Sequence, residues 1–151
     1  MNTVQSKIQE ILEASRDVPF VFKEVINKQL FISQDEEIVD LVYLKREYQT
    51  DSDKTSKLVF KGRLLIATSH GIIFIEEGLS EIATDYLGYR IKHIAYNKLE
   101  SVELDICVLQ GILLLGAIGH NMIKVEFNTT NDFRKFEHFV DIVRRKILQT
   151  R

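Results

Sequence analysis

Between residues 57 and 78 the chain alternates: Leu58, Phe60, Leu64 and Ile66 are set against Val59, Lys61, Arg63 and Leu65. A break at Ser69-His70-Gly71 is followed by Ile72, Ile73, Phe74 and Ile75. Period-two spacing, β-branched and aromatic residues and a short glycine-containing break predict a β-hairpin. Strand patterns on both sides make it the central hairpin of a larger antiparallel sheet. Residues 38–48 predict one long strand, apolar on both faces at first and polar by Lys45-Arg46-Glu47, and the turn formers of 50–56 predict a loop. Further strands are predicted at 87–95, after an acidic connector at 76–85, and at 99–109, with Val102, Leu104, Ile106 and Val108 on one face. A turn at Gln110-Gly111 leads to a strand at 112–118. A second turn at Gly119-His120-Asn121 leads to 122–127, where Ile123, Val125 and Phe127 alternate with Lys124 and Glu126.

The two ends change period. Val4, Ile8, Ile11 and Leu12 share a helical face and predict a helix over 3–15, capped by Asn2 or Thr3. Asp17 and Pro19 mark a break before a short, very apolar helical segment, Phe20, Val21, Phe22, Val25 and Ile26, which needs a surface to pack against. After Thr129 the residues Phe133, Phe136, Val140, Val143 and Ile147 recur at helical intervals, and Phe139 and Ile142 widen the stripe. With a cap expected among Thr130, Asn131 and Asp132, and Arg144-Arg145-Lys146 in the last turns, they predict one terminal amphipathic helix with both ends of its dipole complemented.

Seven strands and one C-terminal helix, with the segments LLIATSHGIIFI and IAYNKLESVEL, resemble the pleckstrin-homology-like (PH-like) domains of bacterial proteins. In that family a strand ends in a threonine before a short turn and an apolar return strand, as from Thr68 to Ile75. A Tyr-x-x-apolar-x-x-Val run precedes the fifth strand, as at Tyr96, Leu99 and Val102. The resemblance covers residues 36–149. It implies an α+β, mainly β fold: a bent seven-stranded antiparallel barrel capped by the C-terminal α-helix, with an N-terminal helical extension. Residues 1–34 are then the extension packing on the barrel, and 35–151 the PH-like domain. A cone-shaped NTF2-like sheet is the competing fold, but such proteins usually end in strands. Lipid-binding pleckstrin-homology domains cradle inositol phosphates with a basic residue late in the first strand and a Lys-x-Arg on the second. Lys45, Lys61 and Arg63 match that pattern, although bacterial members do not generally bind lipid.

Composition narrows the function. A net charge of −2, from 20 basic and 22 acidic residues, gives no bulk attraction to nucleic acid. From Lys54 to Ile75 there is no acidic residue, so Lys61 and Arg63 form the one polarised charge feature. The single cysteine, Cys107, excludes an internal disulfide framework and a cysteine-based zinc site, and its setting predicts a buried strand position. His70, His93, His120 and His138 are dispersed, with His70 and His120 expected in turns, and neither a nucleophile motif nor a phosphate-binding glycine loop occurs. Glu103 and Asp105 alternate with apolar residues and are expected on a solvent face. No catalytic residue, metal site or cofactor is therefore expected. The N-terminal residues lack the apolar core of a signal peptide, and no run approaches the roughly 18 apolar residues of a membrane span, so a cytoplasmic location is expected.

Three readings follow: a non-catalytic interaction or self-assembly module, with a protein partner; a peripheral binder of anionic lipid headgroups or phosphate at Lys45, Lys61 and Arg63, for which an anionic membrane surface is a less favoured partner; and a small-molecule carrier or unrecognised enzyme. Self-association is expected because residues 112–118 are apolar on both faces, Leu113, Leu115 and Ala117 lying opposite Ile112, Leu114 and Ile118, and residues 38–44 are similarly two-sided, with the N-terminal helices as the alternative, intramolecular cover. A strand in a single antiparallel barrel buries one face. A homo-oligomer, with a dimer favoured, is thus expected to use Leu113, Leu115, Ile8 and Leu12.

Overall fold

Two strands predicted as continuous are broken at one shared place. The computed structural model describes residues 3–14, 18–50, 56–78, 88–117 and 120–150. In it, residues 38–48 divide into β1 (Ile38–Leu44) and β2 (Glu47–Thr50), and the first arm of the central hairpin divides into β3 (Ser56–Phe60) and β4 (Arg63–Thr68). The cause is Glu77, the last residue of β5 (Gly71–Glu77), whose carboxylate is 2% exposed. It accepts from Arg46 Nε at 2.7 Å, from Arg46 Nη2, and from the Gly62 N–H at 2.8 Å. A Cβ on residue 62 would stand 2.5 Å from Glu77 Oε1, so only glycine fits beside this buried charge. The clamp holds the chain at both breaks, and β2 and β3 leave as a separate two-stranded ribbon.

The remaining strands form two antiparallel sheets. The first has the order β1-β4-β5-β6, with β6 at Tyr89–Ala95. The second has the order β7-β8-β9, with β7 (Ser101–Ile106), β8 (Gln110–Ala117) and β9 (His120–Asn128). With the helices at the two ends, this is a mainly β, α+β chain. The β4–β5 turn falls where predicted. There Thr68 Oγ1 accepts from the N–H groups of His70 and Gly71. Gly71 passes so close to β6 that a Cβ would meet the Ile94 carbonyl at 2.3 Å.

Both faces of the first sheet are buried, and different elements cover them. Val42, Leu44, Leu65, Ala67, Ile72 and Phe74 join the second sheet and α3 (Thr129–Gln149) in one core. Leu41, Leu64, Ile66, Ile73 and Ile75, on the opposite face, pack with α1 (Val4–Glu13) and α2 (Phe20–Ile26). Thr3 caps α1, its Oγ1 accepting from the Ser6 N–H at 3.1 Å. The seven-residue α2 is too short to stand alone. Val21, Phe22, Val25 and Ile26 are buried and hold it to the sheet. The N-terminal extension therefore covers the second apolar face of residues 38–44, one of the two stretches from which self-association was expected, with Ile8 and Leu12 half-buried against the same cluster.

The interface assigned to Leu113 and Leu115 is corrected by the same packing. Both are fully buried in the core with α3, while the opposite-facing Ile112 and Leu114 are half-buried, set across from Asp105, Glu126, Glu103 and Lys124 in the sheet register. A helix lying along one face of β8 decides which of its two apolar faces is the inner one. Ile118 lies outside the described residues. Helix α3 starts at an Asn128 cap, earlier than predicted, with Asn128 Oδ1 accepting from the Thr130 N–H at 2.9 Å. Phe136, Phe139 and Val143 have no exposed surface, and Val140 is half-buried.

Other turns shift as well. The β7–β8 turn is at Cys107-Val108-Leu109, closed by the Cys107 N–H on the Gln110 carbonyl at 2.8 Å. Cys107 is exposed, contrary to its predicted burial, because it tops a turn. Gly111 is not a turn residue: it leaves room for the Phe127 ring, 2.4 Å from where a Cβ would be. His120 and Asn121 belong to β9, while Gly119 lies outside the described residues.

The sheets do not close into a barrel. The Glu126 carbonyl of β9 is taken by Arg63 Nη1, and its Met122 carbonyl by Lys92 Nζ at 3.1 Å. Side-chain cations of the first sheet thus reach β9 where a closed barrel would have a backbone ladder. Among the described residues, no helix is long and apolar enough to cross a membrane.

Candidate functional site

The seam between β9 and the first sheet holds a cleft of about 290 Å³, lined by Val59, Phe60, Lys61, Arg63, Glu76, Lys124 and Glu126. Sequence and fold place Arg63 at its centre. It starts β4 directly after the Gly62 clamp, and its guanidinium lies over the Phe60 ring, 4.9 Å from the centroid. It is 6% exposed and forms no ion pair with any described carboxylate. Nε donates to the Lys61 carbonyl at 3.3 Å and Nη1 to that of Glu126, leaving Nη2 with no hydrogen bond to a described residue. Burial pushes its pKa below the usual arginine value. The carboxylates of Asp132, Glu47, Glu76 and Glu126 act on it through space and oppose that shift, but among the described residues none reaches ion-pair distance of the guanidinium.

The surrounding charges are partly neutralised. Lys61 Nζ lies 3.4 Å from Glu76 Oε2, and Arg90 reaches the same carboxylate at 3.5 Å from the side. Lys124 Nζ stands 3.5 Å from Glu126 Oε1. Three cations and two carboxylates line the cleft, so it keeps an excess of one positive charge.

Of the predicted anion-binding residues, the structure brings Lys61 and Arg63 together and sets Lys45 elsewhere. Lys45 follows β1 and lines a separate groove between α1, β1 and α3. Leu44 stands opposite Arg63 in the β1–β4 register, so strand alternation turns Lys45 to the other face, beside Leu41 and Tyr43. Lys124 and Glu126 join the cleft unforeseen. Their alternation with Ile123 and Val125 shows that they face outward, but not which other strand they meet.

Three other polar clusters have structural partners. Asp40, 1% exposed, joins the ends of the fold by accepting from Lys7 of α1 at 2.7 Å and meeting His138 of α3 at 3.2 Å. Glu36 accepts from Thr68 Oγ1, and Tyr96 donates to the Thr68 carbonyl at 2.6 Å. His70, exposed in the β4–β5 turn, meets Ser69 Oγ at 2.8 Å. No cluster of three or more potential metal ligands is found among the described residues. Comparison with known protein families, with curated proteins and with solved structures finds no match.

Proposed function

We propose that the chain is a non-catalytic, PH-like interaction module that recognises an anionic group of its partner at the seam cleft. The order of elements supports the PH-like reading: four antiparallel strands, then three, then a helix whose apolar stripe lies between the sheets, with the β2–β3 ribbon inserted after the first strand. The interior is occupied by Phe136, Phe139 and Val143, which argues against a carrier with a cavity between the sheets. Self-assembly has lost one of the two apolar faces that motivated it, since α1 and α2 lie on the outer face of β1, while the outward Ile112 and Leu114 of β8 are half-buried. The observation that carries the binding reading is Arg63, a buried guanidinium that makes no ion pair with a described carboxylate, opening on a cleft that Lys61 and Lys124 flank. Such a guanidinium pairs with a phosphate or carboxylate through charge-assisted hydrogen bonds.

The test is titration of inorganic phosphate and of inositol phosphates, followed by calorimetry, beside flotation with phosphatidylserine vesicles. Each is run at low ionic strength and at physiological salt, where screening acts over about 8 Å. Saturable phosphate binding, weakened by Lys61→Gln and by Lys124→Gln with the fold intact, is the expected result. Vesicle flotation in addition would identify a headgroup, and binding of soluble phosphate alone a phosphorylated partner or metabolite. Wild-type protein that binds neither at low salt would overturn the proposal.

A further inference from the structure

The groove between α1, β1 and α3 shares no lining residue with the seam cleft and is built for a different ligand. Its floor is apolar: Ile11 and Ala14 from the end of α1, Val18 from the following segment, Leu41 and Val42 from β1. Lys7, Lys45 and Lys135 stand on its rim, with Glu10 as the one carboxylate among the lining residues. The volume is about 280 Å³.

Two of the amines are already engaged. Lys7 holds Asp40 at 2.7 Å, and Lys135 holds Asp132 at 2.9 Å and the Tyr43 carbonyl at 3.3 Å. Lys45 is exposed and forms no ion pair with a described residue. An extended peptide would need the outward backbone edge of β1. Lys135 occupies the Tyr43 carbonyl on that edge and interrupts the run of acceptors a strand would pair with. A compact amphiphile needs no such ladder, only an apolar floor and one available cation.

We infer that this groove binds a medium-chain monocarboxylate, its alkyl body on the floor and its carboxylate on Lys45. The inference shares with the proposed function only the premise that the chain binds ligands without transforming them. It does not rest on the seam cleft, so either can fail without the other.

Decanoate below its micelle concentration is the probe, with decanol as the neutral counterpart, both followed by calorimetry on the full chain. Decanoate is expected to bind saturably, one per chain, and more tightly than decanol. Lys45→Gln is expected to weaken decanoate by about three- to fivefold, the size of one partly exposed ion pair, and to leave decanol unchanged. Glu10→Gln, which removes the like charge from the rim, is expected to tighten decanoate. Excess inorganic phosphate is expected not to compete, which separates this site from the seam cleft. Absence of saturable decanoate binding, equal affinity for decanol, or indifference to Lys45→Gln would each overturn the inference.

Discussion

Truncating Phe136 tests whether the terminal helix is part of the core or a cover laid over it. The ring has no exposed surface and stacks on Phe127, with centroids 4.1 Å apart and planes 23° from parallel. Phe136→Ala removes the transfer energy of a whole aromatic side chain and leaves a cavity that sheet and helix can fill only in part. Such changes cost about 3–5 kcal/mol, and loss of the ring pair moves the expectation to the upper part of that range. A domain of this size is stable by about 5–15 kcal/mol, so the loss is a large share of the total. At about 2–4 °C per kcal/mol, the melting temperature should fall by roughly 6–20 °C. Urea denaturation followed by far-UV circular dichroism gives the same quantity as a lower midpoint at unchanged slope. Arg145→Ala, on the exposed face of α3 beside Asp141, is the control and should shift stability by less than about 0.5 kcal/mol. If Phe136→Ala and Arg145→Ala melt together, α3 does not complete the core and the assignment of the inner face of β8 fails with it.

Two further perturbations test the buried polar contacts. Gly62→Ala should destabilise by about 1–3 kcal/mol, because the new methyl meets a carboxylate that Arg46 holds in place. In a Glu77→Ala background the same change should cost less than half as much, and an equal cost in both would reject the clamp as the cause. Tyr96 is 3% exposed, and burial pushes its hydroxyl pKa above the ordinary value. The folded state therefore favours the protonated phenol, a stabilisation complete below the unfolded value of about 10 and lost as pH rises beyond it. Wild type should exceed Tyr96→Phe by about 1 kcal/mol at pH 7–9 through the bond to Thr68. That margin should shrink and then reverse above pH 10, and a margin constant from pH 8 to 11 would refute the assignment.

The sequence alone determined the kinds of element and much of their order. Alternation at Leu64, Ile66, Ile73 and Ile75 is local, because successive strand residues point to opposite faces whatever lies beyond them. The stripe from Phe133 to Ile147 is likewise a property of helical geometry, and Thr68 and Gly71 mark a turn that the Thr68 hydroxyl closes by accepting from the Gly71 N–H. What the chain could not reveal were relations between distant segments. The breaks at Lys45-Arg46 and Lys61-Gly62 depend on Glu77, which closes over both only after β5 has returned beside β4. Both faces of 112–118 are apolar, and α3 decides between them by lying on Leu113 and Leu115. The half-buried Ile8 and Leu12, expected in a subunit interface, are covered within the chain because the first sheet has a second apolar face to bury. The cleft was half legible: Lys61 and Arg63 stood out as cations in a segment without acids. Lys45 left them and Lys124 joined them for one reason: electrostatic neighbours are set by distance in space, and sheet packing, unlike periodicity, leaves no trace in the order of residues along the chain.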